Sequence, residues 1–148
     1  MLVIDSQYVD TSGDVVISFE TANIVHMGDL MFNRFHPFID RPAGASIANW
    51  IKTLETVPGQ HGADTIFIFG HAKEGFGVTG GKTDLAKFRD YLSAVLDYTR
   101  KQMAAGKSKE EMAKADALPG FEEYASPAPP RISLATVLAT AYDELSAG

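Results

Sequence analysis

Two short stretches of the sequence carry residues that could do chemistry. In "IVHMGD" (residues 24–29) an apolar run ends in a glycine and a carboxylate, and in "TIFIFGH" (residues 65–71) another ends in a glycine and an imidazole. Each predicts a β-strand that delivers Asp29 or His71 at its end, beside a glycine that lets other backbone come close. Carboxylate and neutral imidazole are the usual non-thiol ligands of zinc and similar ions. Asp29 and His71 are therefore candidate metal ligands.

A third candidate is Asp10, in the turn "DTSGD" (residues 10–14) that follows a predicted strand over residues 2–9. Aspartate in such a turn also commonly bonds its own backbone. A strand-end Asp or His can likewise be a hydrogen-bonding residue without a metal. Residue type and spacing leave both interpretations open for all three positions.

Composition narrows the classes of function. The chain of 148 residues has no cysteine, which excludes disulfides and thiolate metal sites. Its net charge of -6 argues against sequence-independent binding to nucleic acid. No apolar run reaches membrane-spanning length, and "MLVIDSQYVD" lacks the basic region of a signal peptide. We therefore predict a soluble protein that binds neither nucleic acid nor membrane, in a compartment that the sequence does not specify.

The elements that must position these residues follow from periodicity and turn signals. Residues 15–28 predict a β-hairpin of two strands (15–20 and 24–28), and residues 65–69 a buried strand. Helices are predicted over residues 47–57, about 83–105, a short stretch after Ser108, and 133–146.

The chain is predicted to form a single domain, residues 1–148. It consists of the sheet and helices (1–116), a proline-rich connector (117–132) and a last helix (133–146). We expect the last helix to dock on the same core, although Pro127, Pro129 and Pro130 would also suit a swapped arm. The glycines of residues 70–82 only approach a phosphate-binding loop, because Phe76 stands where its first glycine should be.

The order of these motifs resembles the C-terminal half of metallo-β-lactamase-fold hydrolases, over roughly residues 10–96. The likeness lies in the G-D after a strand, the later strand-G-H and the helix "WIKTLE" between them. It implies an α/β (α+β) fold that is half of an αββα sandwich, with a small, mostly antiparallel sheet covered by helices on one face. It also implies that Asp29 and His71 are ligands of the second metal, which would be zinc or another divalent ion such as iron or manganese, and it allows a low occupancy.

The chain departs from that family at two places. Asp10 stands where the family's H-T-x-G-D motif has a histidine, which shortens the reach of the ligand and adds a negative charge. The first metal motif, H-x-H-x-D-H, is absent from this sequence. The catalytic residues therefore stay unassigned, and Asp10, Asp29 and His71 would form an incomplete site.

Half of a sandwich would also expose one apolar face and an unpaired edge of its sheet. We expect a homodimer or a separate N-terminal half chain to cover them. Two hypotheses follow from the resemblance. The chain is a metal-dependent hydrolase unit or remnant that needs a partner half, or it is a non-catalytic self-associating module that kept the scaffold.

Overall fold

The computed structural model describes residues 2–5, 14–127 and 132–148, the first of these as backbone only. Its strands are β1 (Leu2–Asp5), β2 (Val16–Phe19), β3 (Ile24–Asn33), β4 (Ile66–Ala72) and β5 (Thr79–Gly80). Its α-helices are α1 (Ile47–Gly59), α2 (Lys82–Ala104), α3 (Lys109–Met112) and α4 (Leu134–Ser146), and two 3-10 turns cover Glu20–Ala22 and Arg41–Ala43.

The strands form one five-stranded sheet in the order β1-β2-β3-β4-β5. The β1–β2, β2–β3 and β4–β5 pairs are antiparallel, whereas β3 and β4 are parallel. The parallel pair follows from the connection, because α1 carries the chain back to the starting end of the sheet. This mixed, mostly antiparallel sheet with helices confirms the predicted fold class.

Local capping explains where the helices begin and end. The side chains of Ser46, Ser108 and Ser133 accept hydrogen bonds from backbone N–H groups in the first turns of α1, α3 and α4. After α2, Gly106 adopts φ +78°, and its N–H bonds the carbonyl of Met103. The next N–H, of Lys107, bonds the carbonyl of Gln102, which completes a Schellman ending.

The core lies between the sheet and helices α1, α2 and α4. The indole N–H of Trp50 on α1 donates to the carbonyl of Leu30 on β3 at 2.9 Å, and the Trp50 ring meets Phe88 of α2 edge-on. The buried positions of α2 include Tyr91. The other buried positions of α2 are Leu85, Phe88, Leu92, Val95, Leu96 and Thr99.

The carboxylate of Glu144 on α4 accepts hydrogen bonds from the start of α1. Glu144 accepts from the Ser46 hydroxyl at 2.9 Å and from the backbone N–H of Ile47 at 2.8 Å and of Ala48 at 3.1 Å. Arg41 lies 3.6 Å from the same carboxylate. Because the first N–H groups of a helix have no partner within the helix, Glu144 satisfies two donors that would otherwise need water.

One predicted strand end that bears on the site differs from the structure. The strand predicted to end at residue 28 continues to Asn33, so Asp29 lies inside β3 rather than just past its end. The extension arises because β3 resumes parallel pairing with β4 at Phe32–His71 after two register shifts. Residues 6–9 of the first predicted strand lie outside the described residues.

Candidate metal site

Asp29 and His71 lie side by side on the two parallel strands. The Nε2 atom of His71 is 3.1 Å from Oδ1 of Asp29. Both side chains are accessible to solvent, with exposed fractions of 71% for Asp29 and 45% for His71. The pair is therefore open on one side, where an ion or a substrate could reach it.

A bulge in β3 brings the pair together. Gly28 pairs with Phe69 and Phe32 pairs with His71, so three residues of β3, Asp29 among them, face the single residue Gly70. Gly28 adopts φ +54°, a conformation that suits glycine. A Cβ at Gly70 would lie 2.5 Å from the Gly28 carbonyl oxygen and 2.8 Å from Oδ1 of Asp29. The positive φ of Gly28 and the missing side chain of Gly70 thus allow the Asp29 carboxylate to occupy its position.

Phe32 supports the imidazole from the core side. Its ring stacks on that of His71 with centroids 4.5 Å apart and an angle of 19° between the planes. Phe32 is itself held by edge contact with Trp50 and by Phe88, and it is 3% exposed. Since the surrounding core fixes Phe32, the stack restricts the orientation of the His71 ring.

His26 makes a hydrogen bond within the bulge. The backbone N–H of Gly28 donates to Nδ1 of His26 at 3.0 Å. Nδ1 of His26 therefore commits its lone pair to the backbone. The bond helps to fix the turn that precedes Asp29.

The distance between the two side chains is compatible with a shared metal ion, but two ligands do not complete a metal site. Two ligand atoms bound to one zinc ion, with an angle of about 100–110° between them, lie about 3.1–3.4 Å apart. The 3.1 Å between His71 Nε2 and Asp29 Oδ1 agrees with that range, and it agrees equally with a direct ion pair between the two side chains. The described residues contain no group of three or more His, Cys, Asp or Glu that could hold a metal. Asp10, the third predicted ligand, lies outside the described residues.

A loop beside the pair is held by the end of β3. The side-chain amide of Asn33 donates to the Gly77 carbonyl at 2.9 Å, and the Lys73 N–H donates to the Asn33 carbonyl at 2.9 Å. Asn33 is 3% exposed, so these bonds are shielded from water. They fix the loop at residues 73–78, which follows directly after β4 and His71.

Glu123 interacts with three cationic side chains near this loop. Its carboxylate lies 3.2 Å from Lys87 Nζ and 3.7 Å from Arg34 Nε, while its carbonyl accepts from Lys73 at 2.7 Å. Burial acts to raise the pKa of Glu123, but its backbone hydrogen bond and Lys87 outweigh burial and hold that pKa below its usual value. Arg34 adopts φ +64°, and its guanidinium lies 5.0 Å from the centre of the Phe76 ring.

The aromatic run that follows Asp29 divides between different places. Within residues 32–38, Phe32 contacts His71. His36 instead turns into the core, where it shares a 2.7 Å hydrogen bond with Tyr91. Phe38 is 59% exposed and lines a shallow pocket against α4. No local signal in the sequence separates these three directions.

Comparison with known proteins supports the fold. Nothing matches the sequence among protein-family models or among curated proteins. Among solved structures, the chain is similar to the stereoselective inverting sec-alkylsulfatase Pisa1 from Pseudomonas sp., with a TM-score of 0.70 and 17% identity. The match covers 96% of this chain and 23% of that one. A double mutant of the same enzyme matches with the same TM-score and identity over 97% of this chain and 24% of its own.

These matches identify the architecture. The fold is that of part of a metallo-β-lactamase-fold enzyme. At 17% identity the likeness shows the fold alone, and the chain spans about a quarter of the length of the sulfatase. Within the described residues, every helix is too short or too polar to cross a membrane.

Proposed function

We propose that this chain is the C-terminal half of a metallo-β-lactamase-superfamily hydrolase, or a remnant of one, and that Asp29 and His71 hold a divalent metal ion at its second site. The observation that carries the proposal is the 3.1 Å approach of the two side chains. The approach occurs at a bulge between parallel strands, with Gly70 leaving room for the carboxylate.

The chain's own residues would bind and orient the ion. Asp29 and His71 supply an anionic oxygen and an imidazole nitrogen, and the Phe32 ring holds the imidazole plane. Asp10 is the proposed third ligand. A bound zinc ion supplies Lewis acidity and lowers the pKa of a bound water. Because the ligand set contains two carboxylates, it would also suit iron or manganese.

Hydrolysis requires more than these ligands provide. A catalytic zinc site has three protein ligands and an open position for water, held by a fixed surrounding shell. The H-x-H-x-D-H motif that resemblance assigns to the first metal is not in this sequence. We therefore propose that activity depends on a partner half. A secondary alkyl sulfate is a suitable first substrate to assay, because the structurally similar enzyme is a sec-alkylsulfatase.

Metal titration of the purified chain tests the proposal. We expect one zinc equivalent per chain by calorimetry and elemental analysis. Asp29→Ala and His71→Ala should each weaken binding at least about tenfold. Because both side chains are accessible to solvent, neither substitution should lower the melting temperature much.

Matched controls distinguish this site from adventitious binding. Asp116→Ala removes an exposed carboxylate elsewhere, and His61→Ala removes an imidazole near the opposite end of β4. Both should leave zinc affinity unchanged. Equal loss of affinity in the control variants, or no zinc binding by the wild-type chain, would contradict the proposal.

A second candidate function is a non-catalytic module that associates with itself. It is favoured by the lack of a third ligand within the described residues and by an apolar sheet face. A chain that self-associates but takes up no metal would support it.

A further inference from the structure

A group of cationic side chains lies beside the candidate metal site. Phe32 on β3 pairs with His71 on β4, and two residues further along these strands the chain reaches Arg34 and Lys73. At about 3.3 Å per residue, the two cations lie about 7 Å farther along the strands than His71. A third cation, Lys87, comes from α2. We call Arg34, Lys73 and Lys87 the cationic cluster.

One carboxylate holds the cluster together without neutralising it. Glu123 lies 3.2 Å from Lys87 Nζ and 3.7 Å from Arg34 Nε. Lys73 donates to the backbone carbonyl of Glu123 at 2.7 Å, and it makes no ion pair with a carboxylate of the described residues. Three positive charges therefore surround one negative charge.

The other carboxylates of these segments do not cancel the excess. Asp90 pairs with the neighbouring arginine at 2.7 Å, and Glu122 accepts a backbone N–H at 2.9 Å. Glu74 makes no ion pair with the described residues, and Asp29 is the proposed ligand of a divalent ion, whose charge outweighs its own. In a chain with a net charge of -6, such a local excess of positive charge attracts anions.

Arg34 has hydrogen-bond donors that the protein does not use. A guanidinium has five N–H groups, and that of Arg34 makes one hydrogen bond to the described residues, from Nη1 to Oδ1 of Asn33 at 3.1 Å. Its 3.7 Å approach to Glu123 is too long for a second. Among the described residues, the Tyr124 hydroxyl is the only buried polar side-chain atom without a partner, so the unused N–H groups of Arg34 reach solvent. Arg34 also holds φ +64°, a costly conformation of the kind found at functional sites.

An exposed aromatic ring lies beside the guanidinium. The Phe76 ring is 40% exposed, and its centre is 5.0 Å from Cζ of Arg34. Val78, in the same loop, is 54% exposed. The side-chain amide of Asn33 donates to the carbonyl of Gly77 between them, which holds the loop in place. A cationic fork next to an apolar surface suits an oxyanion that is carried on an apolar body.

We infer that Arg34 and Lys73 bind an anionic group, a carboxylate or a phosphate, on the molecule that the metal site acts on, and that its apolar part packs on Phe76. The reaction rests on the proposed function, whereas the anion site itself needs no metal. The substrate class is an ester or amide with a second, charged group about 7 Å from the bond that is hydrolysed. A secondary alkyl sulfate carries its charge at that bond, so an added terminal carboxylate should improve its binding.

Binding of phenyl phosphate to the full chain in EDTA tests the anion site without the metal. We expect saturable binding by calorimetry, with a dissociation constant of about 0.1–1 mM that rises in about 0.5 M sodium chloride. Inorganic phosphate, which lacks the ring, should bind about two- to tenfold more weakly. Phenol, which lacks the charge, should show no measurable binding. No saturable binding of phenyl phosphate, or equal binding of phenol, overturns the inference, and equal binding of inorganic phosphate overturns the role of Phe76.

Substitutions in and away from the cluster locate the site. Arg34→Gln and Lys73→Gln should each raise the dissociation constant at least about fivefold, and Arg34→Lys, which keeps the charge without the fork, should raise it less than Arg34→Gln. Arg100→Gln, at an exposed position of α2, is the matched control and should bind like the wild type. Circular dichroism checks folding, and Lys73→Gln decides if the largely buried Arg34 proves necessary for the fold. Wild-type affinity in folded Lys73→Gln, or an equal loss in Arg100→Gln, overturns the assignment.

Metal and anion binding separate this inference from the proposed function. Asp29→Ala should lose zinc affinity and still bind phenyl phosphate in EDTA. A chain that binds phenyl phosphate at the cluster but takes up no zinc would contradict the proposed function and leave the anion site standing. Zinc binding without anion binding would overturn the inference and leave the proposed function standing.

Discussion

Tyr91 and Tyr124 stack face to face with ring centroids 4.1 Å apart and an angle of 4° between their planes. The Tyr91 hydroxyl shares a 2.7 Å hydrogen bond with Nδ1 of His36. The Tyr124 hydroxyl is buried and has no hydrogen-bond partner within the described part of the chain. Burial raises the pKa of both phenols, so both are neutral donors at physiological pH.

The two tyrosines should respond in opposite ways to loss of the hydroxyl. Tyr124→Phe removes a buried polar group without a partner and should be neutral or stabilise the chain by up to about 1 kcal/mol. Tyr91→Phe leaves His36 without its partner and should destabilise by about 1–3 kcal/mol. Urea denaturation measures both changes. Equal destabilisation by the two variants would show that the Tyr124 hydroxyl is satisfied after all.

His36 should make the fold sensitive to acid. Burial lowers its pKa from an ordinary value of 6.5 to about 4. Between these values the unfolded chain binds more protons than the folded one, so stability is full above about pH 6.5 and falls as the pH approaches 4. The loss attributable to His36 amounts to about 3 kcal/mol. Denaturation series at pH 7.5 and pH 4.5 measure it.

Replacing His36 isolates its share of that pH dependence. His36→Phe should be less stable at pH 7.5, because the bond to Tyr91 is lost, but should lose less stability on acidification than the wild type. His61→Gln, in the loop after α1, should retain most of the wild-type slope. Parallel pH profiles for His36→Phe and the wild type would mean that His36 is not the titrating group.

Gly70→Ala should disturb the candidate site and the sheet together. The added Cβ would come within 2.8 Å of three atoms of Gly28 and Asp29, two of which are backbone and cannot swing away. Overpacking of this kind costs about 1–3 kcal/mol. Gly59→Ala is a control, because a Cβ there meets nothing within 4 Å. Gly70→Ala should lower both the melting temperature and the zinc affinity, whereas Gly59→Ala should lower neither.

Glu144→Ala should destabilise the junction of α1 and α4. It removes the acceptor for two backbone N–H groups and the Ser46 hydroxyl, and we expect a loss of about 1–3 kcal/mol. Glu144→Gln keeps one acceptor oxygen and should lose less. Glu55→Ala, at an exposed position of α1, is the matched control. A wild-type melting temperature for Glu144→Ala would show that water replaces the carboxylate at no cost.

Much of the fold can be predicted because its signals are local. Helical spacing of apolar residues and the serines at positions 46, 108 and 133 give the helices almost to the residue. The i, i+3 spacing places Tyr91 on the same face of α2 as Phe88, but a tyrosine is a weaker indicator of a buried position than an aliphatic residue. The helix boundaries follow from short-range chemistry, which the sequence shows directly.

The geometry of the site depends on pairing between distant strands. The resemblance implies that Asp29 and His71 bind the same metal ion, and the structure places their side chains 3.1 Å apart. Their role as metal ligands stays a prediction, as does that of Asp10. The bulge that carries Asp29 depends on where β3 resumes its register with β4, and no residue near Asp29 encodes that register alone.

The bond from Glu144 to the start of α1 sets an order of events during synthesis. The two groups are separated by 97 residues in the chain. Since the ribosome builds the chain from its N-terminus, α1 leaves the ribosome long before the carboxylate that caps it exists. Its first N–H groups must stay hydrated until α4 emerges, so a helix that is made later completes the cap of a helix that is made earlier.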